Sequence, residues 1–372
     1  MSAISFLPFV LEFLLVSVAL RMFFSGNFLN SRPRLFLSGL FFLTVPLVVV
    51  SMVLGGTSVV AMVVKVLFFV LAIVYAISEP RAARWWLIAA IVTSLLVQAS
   101  AGNVLNKLST LPFLMIACLW ATTRARLRTG EFVVLALAIG AEFIQAIALE
   151  SRGLLIAGVM ACWLMLGPLN LVRRTVVISA ILLPIIYPLG LTLVFTSLLS
   201  GSDFLDATSS NFERSAMAAW SVDNFSSYPL VGPGSILFTA EINAIKVLGQ
   251  QAVGDNYDPH QFLLSAWILL GSSITVVLYI FWCSIWIFKG SNRFASNRRT
   301  RLFSILAILA ILIFVFSPPD TTARVQVAIL AGIAIAGLRD PSILMRKLKS
   351  SMPDKTDQAL TPVLLNHAAV NK

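Results

Sequence analysis

The sequence predicts an all-α polytopic membrane protein with about 11 (roughly 10–12) transmembrane helices and one large outer loop. Three observations carry this. First, 59% of the 372 residues are hydrophobic and only 12% charged, with mean hydropathy +0.93; a water-soluble chain of this size has too little polar surface to cover so much apolar side chain. Second, apolar runs of about 20 residues, the length a helix needs to cross about 30 Å of hydrocarbon, recur from end to end. Third, basic residues alternate between rich and poor from one connection to the next.

The runs cover residues 4–24, 35–54, 58–78, 85–100, 108–122, 132–149, 154–172, 175–199, 261–288, 302–317 and 325–338. Residues 1–340 therefore read as one transmembrane domain, with its long loop at 200–260, and residues 341–372 as a polar tail. The first run, Ile4 to Phe24, has no basic region before it and no small-residue cleavage site after it, so it reads as a retained helix and not a signal peptide. Cys118, Cys162 and Cys283 fall inside apolar runs at no metal-ligand spacing and read as small hydrophobic residues.

Charge sets the orientation. With the N-terminus outside, twenty basic residues fall in inner connections and the tail, among them Arg81, Arg84, Arg124, Arg173, Arg174 and the group Lys289–Arg301. Five fall outside: Lys107, Arg152, Arg214, Lys246 and Arg324. This is the positive-inside pattern and predicts N-out, C-in. It also accounts for the net charge of +11, which in a soluble chain would suggest nucleic acid.

The outer bases run against the rule, and each needs a reason. Arg152 sits in Glu150-Ser151-Arg152-Gly153, a short connection between two apolar runs. It is either an interfacial anchor paired with Glu150 or an anion ligand at a helix N-terminus, where exposed N–H groups already favour negative charge. The 200–260 segment is the only long loop, and long loops in compact proteins are usually functional. It carries Arg214 and Trp220, then Tyr228-Pro229-Leu230-Val231-Gly232-Pro233-Gly234, a turn-forming run able to present backbone N–H groups. Leu237, Ile245 and Leu248 then recur at helical spacing, which reads as a short amphipathic helix lying on the membrane. The loop closes on Asp258-Pro259-His260-Gln261. His260 is either a structural cap or a base able to take a proton from a hydroxyl near pH 7. Arg324 either pairs with Asp320 or joins the outer anion site.

At these residues the chain resembles the O-antigen ligase and polymerase superfamily of bacterial membrane enzymes. The likeness rests on Ser151-Arg152-Gly153-Leu154-Leu155, on Arg214 with Trp220 and the Tyr228–Gly234 run, and on His260-Gln261-Phe262-Leu263-Leu264 with Gly271 after it. Gln261 stands where asparagine is common in that family, and the likeness covers about residues 130–290. It implies a GT-C-like glycosyltransferase of the bacterial inner membrane, with a periplasmic N-terminus and a cytoplasmic C-terminus. Its donor would be a glycan on undecaprenyl pyrophosphate, handled without metal or other cofactor. Arg152 and Arg214 would hold the pyrophosphate, with Arg324, Trp220, Gly232, Gly234 and Gln261 also at the substrate. His260 would deprotonate the acceptor hydroxyl with inversion. Partners would be membrane lipid and a chain-length regulator of polysaccharide export, and not nucleic acid.

Within that superfamily a polymerase is favoured over a ligase to lipid A core or protein, because the outer loop is small for a large acceptor. A transporter or flippase of lipid-linked glycan would instead place polar groups at the midplane and pair its broken helices. A membrane scaffold would leave the outer Arg/His set unexplained. The topology is directly testable: cysteine labelling should reach residues 201–260 from outside and 289–301 from inside, and finding both on one side would overturn the scheme.

Overall fold

The computed structural model describes residues 6–24, 49, 53, 60–100, 111–124, 129–148, 152–200, 209–234, 237–238, 240–242, 261–287, 297–316, 321–340 and 343–344. Among them no strand occurs. The helices are α1 (Leu7–Phe24), α2 (Val60–Ser78), α3 (Pro80–Ser100), α4 (Leu111–Thr123), α5 (Thr129–Ala148), α6 (Arg152–Leu166), α7 (Leu169–Ser200), α8 (Ser209–Asp223), α9 (Phe262–Trp286), α10 (Asn297–Phe316) and α11 (Thr321–Arg339). A 3₁₀ turn at Phe225–Ser227 follows α8. Helices α2, α3, α5, α7 and α10 are long and apolar enough to cross a membrane, α9 reaches that length only with its two arms counted together, and α4 and most of α6 are apolar but shorter. The second run (35–54) lies outside the described residues apart from 49 and 53, and the tail apart from Ile343 and Leu344.

One boundary differs from the sequence reading. The apolar run 154–172 is cut at Gly167-Pro168: α6 ends at Leu166 and α7 begins at Leu169. Pro168 cannot continue a helix but suits the start of one. Arg173 and Arg174 therefore lie within the first turns of α7 and not in a connection.

The core forms around α10 and α11, whose apolar side chains from Leu302 to Val315 and from Val325 to Leu338 are almost all buried. Helices α4, α6 and α7 pack on α10, and α1 and α3 pack on α11. Lipid is as apolar as leucine, so helices in a bilayer associate through close packing and interhelical polar contacts. Both are present. Gly332 of α11 approaches Ala76 and the Ile73 backbone of α2 so closely that a Cβ would collide. Phe69, Phe262, Trp282 and Phe314 form one aromatic stack, with Trp282 and Phe314 centroids 3.9 Å apart at 10°.

The polar contacts are concentrated between α7 and α9. Pro184 and Pro188 lie inside α7. Neither has an N–H, so the carbonyls one turn earlier, on Ala180 and Pro184, lose their helical donors. Both are satisfied by α9: Trp282 Nε1 donates to Ala180 O at 3.1 Å and Gln261 Nε2, just before the helix, donates to Pro184 O at 2.8 Å. Tyr279 adds a third bond, to Ile181 O at 2.8 Å.

These contacts require α9 to be bent. On an unbroken helix Phe262 and Trp282 would stand about 30 Å apart, yet both rings pack on Phe69 and Phe314. The break is at Gly271, with φ 76° and ψ 176°, a conformation essentially confined to glycine. Helix α9 is thus a V of two arms, 262–270 and 272–286, whose ends both reach α7.

A buried ion pair joins α1 to α11. Arg324 places Nε and Nη2 on Glu12 Oε1 at 3.2 and 3.1 Å and Nη2 on Oε2 at 3.0 Å; the residues are 3% and 7% exposed. The planar fork matches a carboxylate on two bonds. Removing one partner strands a buried charge, at a cost of about 3–5 kcal/mol, whereas replacing both with apolar groups is often neutral. In thermal unfolding of detergent-solubilised protein, Arg324→Leu alone should therefore destabilise more than Arg324→Leu combined with Glu12→Leu.

Candidate functional site

The two ends of the bundle differ in how their arginines are used. At one end, arginines close helix termini. Arg301 Nη1 donates to Leu164 O at 3.2 Å and Met165 O at 2.6 Å, and Arg299 Nη2 donates to Arg124 O at 3.0 Å. These carbonyls end α6 and α4, where no helical donor remains and the dipole is negative. Arg81 Nε donates to Ile343 O at 2.8 Å, just beyond α11. Arg84 lies over Trp85, Arg124 over Trp120 and Arg298 over Phe132. Among the described residues, Arg81, Arg299 and Arg301 thus close helix ends at this end of the bundle.

The other end holds the predicted site residues, and it treats them unequally. Arg152 opens α6 at the end away from the Arg301 contacts; its side chain, His260 and Asp320 lie outside the described residues. Arg324 also belongs to this end, about 22 Å along α11 from Arg339, but its fork is on Glu12. Trp220 is part of an aromatic cluster, 5.4 Å from Phe238, 5.9 Å from Trp267 and 6.5 Å from Tyr228.

The Tyr228–Gly234 run has a different use from the one its composition suggests. It presents carbonyls. Tyr228 O and Pro229 O accept from Ser272 N (2.8 Å) and Ser273 N (3.0 Å), the open N–H groups of the second α9 arm. Gly232 N donates to Leu269 O at 3.3 Å, closing the first arm. A side chain at Gly232 would collide with the Trp267 and Ile268 carbonyls, so glycine serves close approach there, and Gly232 is committed to the α9 joint. Gly234 adopts φ 77° in open space. The following residues are helical where described, but they turn Phe238 and Ile242 inward onto Met217 and Trp267 and leave Leu237 exposed. Phe238 and Ile242 thus pack on protein while Leu237 stays exposed; Ile245 and Leu248, the rest of the face expected to lie on the membrane, lie outside the described residues.

Beside this joint, α7 carries Tyr187 and is packed by two elements that bring polar groups, α8 with Arg214 and α9 with Gln261 just before it. Helix α8 packs along α7 and carries Arg214, exposed and without an ion-pair partner among the described residues. Tyr187 stands on α7 between the two prolines' turns, its ring edge-on to Phe316 at 4.6 Å. Its hydroxyl makes no hydrogen bond among the described residues. Gln261 lies one turn below, on Pro184; its Nε2 is used, but Oε1 is buried and has no partner. Among the described residues this stretch holds an exposed guanidinium and a buried amide oxygen without a partner; an anion suits the first and a hydroxyl donor the second.

Sequence reasoning found Arg214 and Gln261 but missed Tyr187. The available signal was Pro184-Ile185-Ile186-Tyr187-Pro188, a tyrosine midway along the 175–199 apolar run and flanked by prolines. Among the described residues no three His, Cys, Asp or Glu side chains gather as a metal site would need. Compared with known protein families, curated proteins and solved structures, the chain matches none of them.

The α9 joint can be tested by substitution. Gly271→Ala forces a Cβ toward Tyr228 O, 2.7 Å away, at a glycine-only φ/ψ. It should destabilise by about 1–3 kcal/mol, whereas Gly140→Ala, in open space on α5, should be neutral or slightly stabilising; thermal unfolding distinguishes the two.

Proposed function

We propose that this chain is a membrane glycosyltransferase that extends undecaprenyl-pyrophosphate-linked oligosaccharide repeats, a polymerase of the O-antigen or exopolysaccharide kind. The reading takes about 11 spans, a GT-C-like arrangement and a bacterial inner-membrane location, with the Arg214 end facing the periplasm. One observation carries it: among the described residues Arg214 is an exposed guanidinium with no ion-pair partner, on a helix packed along α7, where Gln261 keeps a buried amide oxygen without a partner. A sugar esterified to a diphosphate has the complementary groups.

The chemistry follows from the charge. Transfer of the sugar breaks the bond between the anomeric carbon and the diphosphate oxygen, and negative charge grows on the leaving group. Arg214, with Arg152, offsets that charge. The acceptor hydroxyl loses its proton to His260 as it attacks from the opposite side, inverting the anomeric carbon. The lipid tail remains among the helices, and the saccharides remain in water.

A flippase is the reading from another class, and the broken helix α9 is the kind of element transporters use. The break in α9 is capped by the carbonyls of Tyr228 and Pro229 and by Gly232, so its helix ends are not left open for a substrate. That favours the enzyme. Ligation to lipid A core or protein uses the same donor chemistry and is separated only by acceptor.

Purified protein in liposomes with lipid-linked repeats should make long glycan without a lipid A core acceptor; product only when core is added would select the ligase. In that assay Arg214→Ala and Arg214→Lys should both be severely impaired, the latter because a point charge lacks the planar fork. His260→Gln should lose about 10²–10⁴ in rate, and wild-type activity should fall on the acid side as imidazole protonates. Near-normal turnover in His260→Gln would remove it as the base.

A further inference from the structure

We propose that an ethanolamine phospholipid binds by its head group in a cleft at the arginine-capped end of the bundle, its ammonium on Glu131 and its phosphate on Arg298. The cleft lies where α4, α5, α6 and α10 meet, and both charged side chains line it. Ala121, Leu135, Met165 and Leu302 form its apolar walls. Glu131 stands in the first turn of α5 and is only 8% exposed. Arg298 stands in the first turn of α10 and is exposed, with its guanidinium over the Phe132 ring at 5.2 Å from the centroid. None of these residues takes part in the proposed reaction.

Depth and size decide which charge of a ligand goes where. The interior has room for a group about the size of one water molecule. A primary ammonium has that size, whereas a trimethylammonium or a phosphate is too large. The buried carboxylate therefore takes the ammonium, and the exposed guanidinium takes the phosphodiester outside. Glu131 has a further interaction within the fold. A carboxylate offers about four acceptor positions, so one contact elsewhere does not close it to an ammonium. The source of the head group follows from the neighbouring surface. Val133, Val134 and Leu137 of α5, next to the lining residues Phe132 and Leu135, are exposed and apolar. A phospholipid lays its tails along them, and a free amino-phosphate would leave them bare.

The test uses full-length protein in detergent, stripped of lipid, with native mass spectrometry to count the lipid it retains. The probes share their acyl chains: phosphatidylethanolamine, its N-methyl and N,N-dimethyl forms, phosphatidylcholine and phosphatidylglycerol. Wild type should retain phosphatidylethanolamine about 10-fold better than phosphatidylcholine or phosphatidylglycerol, the worth of one hydrogen bond between charged groups. Retention should fall with each methyl added, because the charge stays and the head outgrows the cleft. Glu131→Gln should abolish the preference. Arg298→Ala should weaken retention of every probe, since all carry the phosphate. Equal retention across the methyl series by wild type would overturn the inference, and that measurement needs no variant to fold. An unchanged preference in a Glu131→Gln protein with wild-type thermal unfolding would do the same. Displacement of the lipid by millimolar soluble phosphoethanolamine would overturn the lipid as occupant in favour of a water-soluble one.

Discussion

The arrangement of the outer half depends on two carbonyls that α7 cannot satisfy by itself. Pro184 and Pro188 free Ala180 O and Pro184 O in a setting where an unpaired carbonyl is expensive, because lipid offers no replacement donor. Trp282 and Gln261 supply the missing donors, and they reach neighbouring turns of α7 only because Gly271 folds α9 back on itself. The joint at Gly271 in turn needs the Tyr228–Gly232 backbone to close both arms. One chemical constraint thus extends from the prolines through α9 to the loop, and it fixes Gln261 beside Tyr187. In this sense the prolines are part of the site although neither has a group to offer a ligand.

Two arginines from the base-poor end show how the same residue type takes opposite roles. Arg324 is spent on Glu12 in a buried fork, and that contact holds α1 against α11. Arg214 is exposed on a helix of mixed polarity packed along α7, and it has no carboxylate beside it among the described residues. A guanidinium does not shed its proton, so its surroundings decide whether it serves as a fastener or as a receptor for an outside anion.

Much of the helical layout was legible because apolar runs of membrane length are a strong signal: α10 and α11 begin and end within a few residues of the predicted runs. Two local features were misread. Gly167-Pro168 was absorbed into an apolar run, and Gly271 was named for the family likeness without its break being foreseen, since hydropathy carries no information on φ. The Glu12–Arg324 pair joins residues 312 positions apart, a distance over which charge spacing says nothing. Gln261 was picked out beside His260, but its hold on Pro184 O became visible only once the missing N–H of Pro188 was set against the fold. Tyr187 escaped notice because one tyrosine in an apolar run is ordinary; its ring contact with Phe316, on another helix, is visible only in the fold.

The arginines that begin α10 bear on how the chain is assembled. Arg301 closes the end of α6 and Arg299 the end of α4, across 136 and 175 positions of sequence. During synthesis, α4 and α6 therefore emerge long before the groups that complete them, and the α10–α11 centre around which they pack emerges last. Until α10 is made, the ends of α4 and α6 lack the donors that Arg299 and Arg301 supply, and α4, α6 and α7 lack the helix they pack on. A chain interrupted before α10 would carry intact apolar helices and still lack the element that makes them one body, which gives a membrane quality-control protease a ready means of telling unfinished copies from finished ones.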